Sequence, residues 1–77
     1  MNSRARIVRA LSKVIDVNEV DEIIMEVDFN FLESLLEVLR DKYQGRSRLI
    51  LKKMIEALME EDPVLAEKVK KALERRP

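Results

Sequence analysis

The residues able to do chemistry in this chain are hydroxyls, carboxylates and amines, and they lack the partners that would make them reactive. The hydroxyls are Ser3, Ser12, Ser34, Ser47 and Tyr43. There is no Cys and no His. A serine therefore has no imidazole to deprotonate it, and no thiolate can attack a substrate or hold a metal. Gly45 is the one glycine, too few for the glycine-rich turn that cradles phosphate or lines an oxyanion hole. Carboxylates are plentiful, but their spacing puts them on solvated helix faces. General acid–base work needs a positioned group with a shifted pKa. Two Asp-x-Asn steps, Asp16-Val17-Asn18 and Asp28-Phe29-Asn30, suggest calcium. The calcium loop wants an oxygen ligand at its fifth position and then Gly. Here those places hold Val20-Asp21 and Leu32-Glu33. The expectation is no enzyme: no catalytic residue, no metal, no cofactor and no small-molecule substrate.

The charges are ordered instead. Residues 3–13 carry Arg4, Arg6, Arg9 and Lys13 and no acid. Residues 16–37 carry eight acids and no base, and residues 40–53 carry six bases against Asp41. Acids return over 56–67 and bases over 68–76. The totals are 15 and 15, so the net charge of zero hides alternating blocks. Blocks of opposite sign attract within a chain or between chains. Arg4, Arg6, Arg9 and Lys13, with Arg46, Arg48, Lys52 and Lys53, are the candidate nucleic-acid contacts, as phosphate binders on neighbouring helices. Zero net charge weakens that reading. So do the few aromatic residues, because Phe29, Phe31 and Tyr43 fall at core spacing and leave no base-stacking platform.

These groups must be positioned by helices. Ala, Leu, Glu, Lys, Arg, Ile and Val dominate a composition with one Gly and two Pro. Ile7, Val8, Leu11, Val14 and Ile15 make one apolar face over 3–15, with Ser3 as N-cap. Val20, Ile23, Ile24 and Val27 make a short stripe over 19–28. The helical period fits it better than strand alternation, which Ile24 breaks; a strand is the alternative. The two Asp-x-Asn joints flank this stripe, and each offers paired caps: Asp16 with Glu19, Asn18 with Asp21, Asn30 with Glu33. Residues 30–43 carry a wide apolar face, and Gly45 is placed as the left-handed residue that ends the helix. Ser47 then caps a helix over 47–61. Its apolar residues leave only a narrow polar stripe of Arg48, Lys52, Lys53, Glu56 and Glu60, which makes it the central helix. Asp62-Pro63 restarts the chain as N-cap and first helical residue of a last helix, 63–75, with Arg75 and Arg76 near its end.

Residues 29–58 resemble the two helices of ribbon–helix–helix DNA-binding dimers. The stretch Gly45-Arg46-Ser47-Arg48-Leu49-Ile50 is similar to the loop and capping Ser that open their second helix. The resemblance implies a DNA-reading strand over 20–28. Asp21, Glu22, Glu26 and Asp28 put acids where such a strand presents bases to the groove, so the helical reading is kept.

The sequence thus predicts an all-α, single-domain bundle of five short helices over 1–77, with the fourth central. No apolar run is long enough for a membrane span, and the location expected is cytoplasmic. The N-terminal basic amphipathic stretch is needed for the core rather than for a membrane. The function expected is non-catalytic: a stable, thermostable scaffold or a protein–protein interaction module that binds itself or another protein. Its agreement across caps, pattern and propensity also suits a designed protein with no natural function. Met25, Phe29 and Met59 are the candidate partner-binding residues, as apolar groups the bundle cannot bury. DNA binding is the alternative, as a monomer or a dimer.

Overall fold

The structure is a computed structural model, and it describes residues 3–74. Five α-helices follow one another: α1 Ser3–Ser12, α2 Val17–Glu26, α3 Phe31–Tyr43, α4 Ser47–Glu61 and α5 Pro63–Glu74. A single 3₁₀ turn, Gln44–Arg46, joins α3 to α4. No strand occurs among the described residues. Residues 17–26 are helical, so the ribbon–helix–helix arrangement is excluded. The Cα radius of gyration is 11.3 Å, close to the ~11.5 Å expected of a compact chain this long.

One core holds the helices together. Ile7, Ala10 and Leu11 of α1 meet Val20 and Ile23 of α2, Leu35 and Leu39 of α3, Ile50, Met54 and Leu58 of α4, and Ala66 and Val69 of α5. α4 is the hub: it packs on α1, α3 and α5, while α2 packs on α1 and α3. The narrow polar stripe expected of α4 is wider in fact. Leu49 and Met59 face solvent, so α4 is covered on the faces that carry Ile50, Met54 and Leu58.

The two similar joints use the same local bond and then diverge. Asp16 accepts from the Asn18 N–H at 3.1 Å, and Asp28 accepts from the Asn30 N–H at 2.9 Å. After Asp16 the chain enters α2 at once, so Asp16 is the N-cap. After Asp28 it runs on to Asn30, which takes the cap position without a side-chain cap bond. Asn30 Nδ2 instead donates to Glu33 Oε2 at 2.9 Å, and Ser34 Oγ reaches back to accept from the Asp28 N–H at 3.1 Å. Of the two caps the sequence offers at the first joint, Asp16 is the one that forms, and the Asn18 and Asp21 pairing does not.

Four further expectations are corrected. α1 stops at Ser12, although apolar Val14 and Ile15 continue its stripe. They pack on the core from a turn in which the Val14 and Ile15 N–H groups donate to the Leu11 carbonyl at 2.9 and 3.1 Å. Ser3 is a helical residue rather than a cap. Gly45 does not take the left-handed position. Gln44 does, at φ 53 and ψ −124, and no glycine has positive φ. Ser47 does not cap α4. It lies inside the helix at φ −59 and ψ −33, buried at 5% exposure. Asp62 does cap α5, accepting from the Leu65 N–H at 3.1 Å. Arg75 and Arg76 lie outside the described residues.

Candidate functional sites

The N-terminal bases are spent on the bundle itself. Arg4 lies over the Phe31 ring, 5.1 Å from its centroid, and donates to the Phe29 carbonyl at 2.7 Å. Arg6 pairs with Asp62. Arg9 and Lys13 approach Glu61 at 3.7 and 3.6 Å. One end of α1 thus clasps the α2–α3 joint, and the rest clasps the α4–α5 corner. Arg6, Arg9 and Lys13 of the first basic block meet acids of the 56–67 block. Sequence reasoning missed this partner because block order along the chain says nothing of which helix ends meet.

The second set of candidates stands differently. Arg46, Arg48, Lys52 and Lys53 are exposed and make no ion pair among the described residues. Arg46 begins near the opposite end of α4 from Glu61, roughly 20 Å along the helix axis. The structure therefore does not bring the two basic sets together as one open patch. Lys42 pairs with Glu22 at 3.1 Å, and this pair links α3 to α2.

Of the apolar candidates, Met25 is 86% exposed and Phe29 90% exposed. Phe29 is not a core residue, in contrast to what its spacing with Phe31 and Tyr43 suggests. It stands in the bend between α2 and α3, where helical spacing does not apply. Met59 is 39% exposed and lines an open groove with Ile55, Lys52, Glu56, Glu60 and Lys70. Val17, Leu49 and Val64 are the other large apolar side chains that face solvent.

A pocket at the α3–α4 turn was not anticipated. Leu36 and Arg40 of α3, Gln44 and Gly45 of the turn, and Ser47, Arg48 and Leu51 of α4 line it. Arg40 and Arg48 make no ion pair among the described residues, and the buried Ser47 hydroxyl has no hydrogen-bond partner there. The one signal for it was Ser47, read as a cap because Ser commonly opens helices.

Among the described residues two titratable groups are shifted, and both have structural causes. Burial and a 2.8 Å hydrogen bond to the Glu19 carboxylate push the Tyr43 hydroxyl up to about 12. The Leu65 N–H holds Asp62 below the usual carboxylate range against the opposing effect of desolvation, and Arg6 adds to the lowering. Neither sits beside a nucleophile. Among the described residues no three Asp or Glu side chains gather as a metal site, and no helix is long and apolar enough to cross a membrane.

Fold and surface together define a small all-α helical domain held by one apolar core. No family model matches the chain, and no curated protein or solved structure matches it.

Proposed function

We propose that the chain is a non-catalytic helical interaction module whose docking point is the corner between α2 and α3. The observation that supports this is the exposure of Met25 and Phe29, 86% and 90%, at the two ends of a stretch in which apolar residues alternate with Glu26 and Asp28. A large aromatic side chain left almost wholly in water has a favourable place to go only in a complex. The acids around it, Asp21, Glu22, Glu26 and Asp28, set the chemistry of the partner: an apolar patch rimmed by Lys and Arg. The exposed bases of α4 around Leu49 offer such a patch on a second copy. Met59 belongs to a separate groove and is a weaker candidate. A cytoplasmic setting suits a chain with no Cys.

Sedimentation velocity over a range of concentrations tests this reading, beside a photo-crosslinker at position 29 with one at position 64 as control. Self-association lost in Phe29→Ser, or crosslinks specific to position 29, support it. A strict monomer that forms no position-specific crosslink removes it and leaves the stable scaffold, natural or designed. DNA binding has one supporting feature, the unpaired Arg46, Arg48, Lys52 and Lys53. A gel shift at low salt that is lost on Arg48→Ala/Lys52→Ala would favour it. Arg4, Arg6, Arg9 and Lys13 are poorer contacts for it, being committed to internal partners.

A further inference from the structure

The geometry points to an oxyanion site at the start of α4, fitted to a phosphate group, free or as a monoester. Arg40 on α3 and Arg48 on α4 line one pocket, and no acid lines it. Two guanidinium groups beside a shared space repel each other unless an anion sits between them. Neither has an ion-pair partner among the described residues. Ser47 lines the same pocket at 5% exposure, and its hydroxyl makes no hydrogen bond among the described residues. A buried hydroxyl without a partner carries a desolvation penalty that a ligand oxygen would relieve.

The backbone adds to this. α4 is 15 residues long, and its first turn, which begins at Ser47, presents the positive end of the helix dipole to the pocket. Gln44 holds its backbone at φ 53 and ψ −124, a region that favours glycine, and this residue belongs to the same lining. A carboxylate is satisfied by the planar fork of one arginine. Donors from two arginines and a hydroxyl, arriving from two helices, suit a tetrahedral oxyanion better.

The test is an amide-detected NMR titration of the full chain. The probes are inorganic phosphate and phosphoserine, each against chloride at equal ionic strength. Saturable shifts confined to residues 40–51 are expected. Ser47→Ala should weaken binding about tenfold, and it should stay folded because Ala is accepted in a helical first turn. Arg40→Gln/Arg48→Gln should abolish saturation. Arg46→Gln/Lys53→Gln, which removes the same charge outside the pocket, should leave it unchanged. Saturation by both probes means a phosphomonoester on any carrier; saturation by inorganic phosphate alone restricts the site to the free ion. Unsaturable shifts, or equal weakening by both double variants, would overturn the site in favour of general charge attraction. A localised response to a short DNA duplex but to neither probe would overturn the monoester assignment.

Discussion

Arg6 donates to the carboxylate of Asp62, 56 positions further along the chain, while that same carboxylate caps α5 through the Leu65 N–H. Asp62 therefore serves two helices at once. It starts α5, and it holds α1 against the corner where α4 ends. Glu61 beside it receives Arg9 and Lys13, so the corner gathers Arg6 and Arg9 of α1 and the Lys13 that follows it.

The two roles of Asp62 can be separated by substitution. Asp62→Ala removes both the cap and the ion pair. Asp62→Asn keeps an acceptor for the Leu65 N–H and loses only the charge. Arg6→Ala loses only the pair. Thermal unfolding should rank them with Asp62→Ala the least stable. The carboxyl is held below its usual range, so its contribution is present above the unfolded-state value and fades as pH falls through the folded one. Wild type and Asp62→Asn should therefore converge in stability on acidification. A constant gap down to low pH would mean that the charge plays no part.

The turn between α3 and α4 gives a second expectation. A Cβ built on Gly45 meets nothing within 4 Å, and Gly45 lacks positive φ. Gly45→Ala should stabilise by about 0.4–1 kcal/mol through the unfolded chain. Gln44→Gly should also stabilise, by releasing a side-chain-bearing residue from a glycine-like conformation that costs about 1–3 kcal/mol, less the entropy glycine adds when unfolded. Urea denaturation of the two variants would show this directly. A clear loss in Gly45→Ala would mean that position needs glycine after all.

Helical periodicity, composition and the Asp62-Pro63 restart were enough to predict five helices and the hub role of α4. They failed where apolar periodicity and backbone state part company. Val14 and Ile15 keep the stripe of α1 going from within a turn, because periodicity reports burial and not hydrogen bonding. The cap residues were ambiguous for a different reason. Asp, Asn and Ser each bond to nearby backbone in several geometries, so Asp16 and Asn30 looked alike although only Asp16 caps with its side chain. Gly45 drew the left-handed assignment by residue type, and its neighbour Gln44 took that conformation. Of the candidate site residues, the exposure of Met25 follows from its place opposite Ile23 and Val20 on α2. The pocket of Arg40, Ser47 and Arg48 depends on how two helices meet, which no local pattern encodes.

The core and the surface of α4 should respond very differently to truncation. Met54 is fully buried at the centre of the hub, and Leu49, five residues earlier, is 53% exposed. Met54→Ala should cost about 2–5 kcal/mol, from lost burial plus the cavity left behind. Leu49→Ala should fall within about 0.5 kcal/mol of wild type. Chemical denaturation midpoints at constant slope would establish the contrast. A large loss at Leu49 in a concentration-dependent form would show that its exposure ends on association.

The link between α2 and α3 predicts an alkaline transition. Tyr43 donates its hydroxyl proton to Glu19 at 2.8 Å, and burial and that carboxylate together raise its pKa from 10.0 to about 12. The raised value means that the folded chain keeps a proton the unfolded chain gives up. Between those two values the folded state binds more protons, so stability falls as pH rises. Below about pH 10 the contribution is complete, and above the folded-state value it is gone. Tyr43→Phe removes the titrating group and should flatten this decline, at the cost of leaving Glu19 without its donor. Glu19→Gln retains an acceptor without the charge. It should lower the Tyr43 pKa, which ultraviolet difference absorption of phenolate reads directly, the chain having one Tyr and no Trp. If phenolate forms at the ordinary value in wild type, the hydrogen bond between the two helices is not maintained in solution.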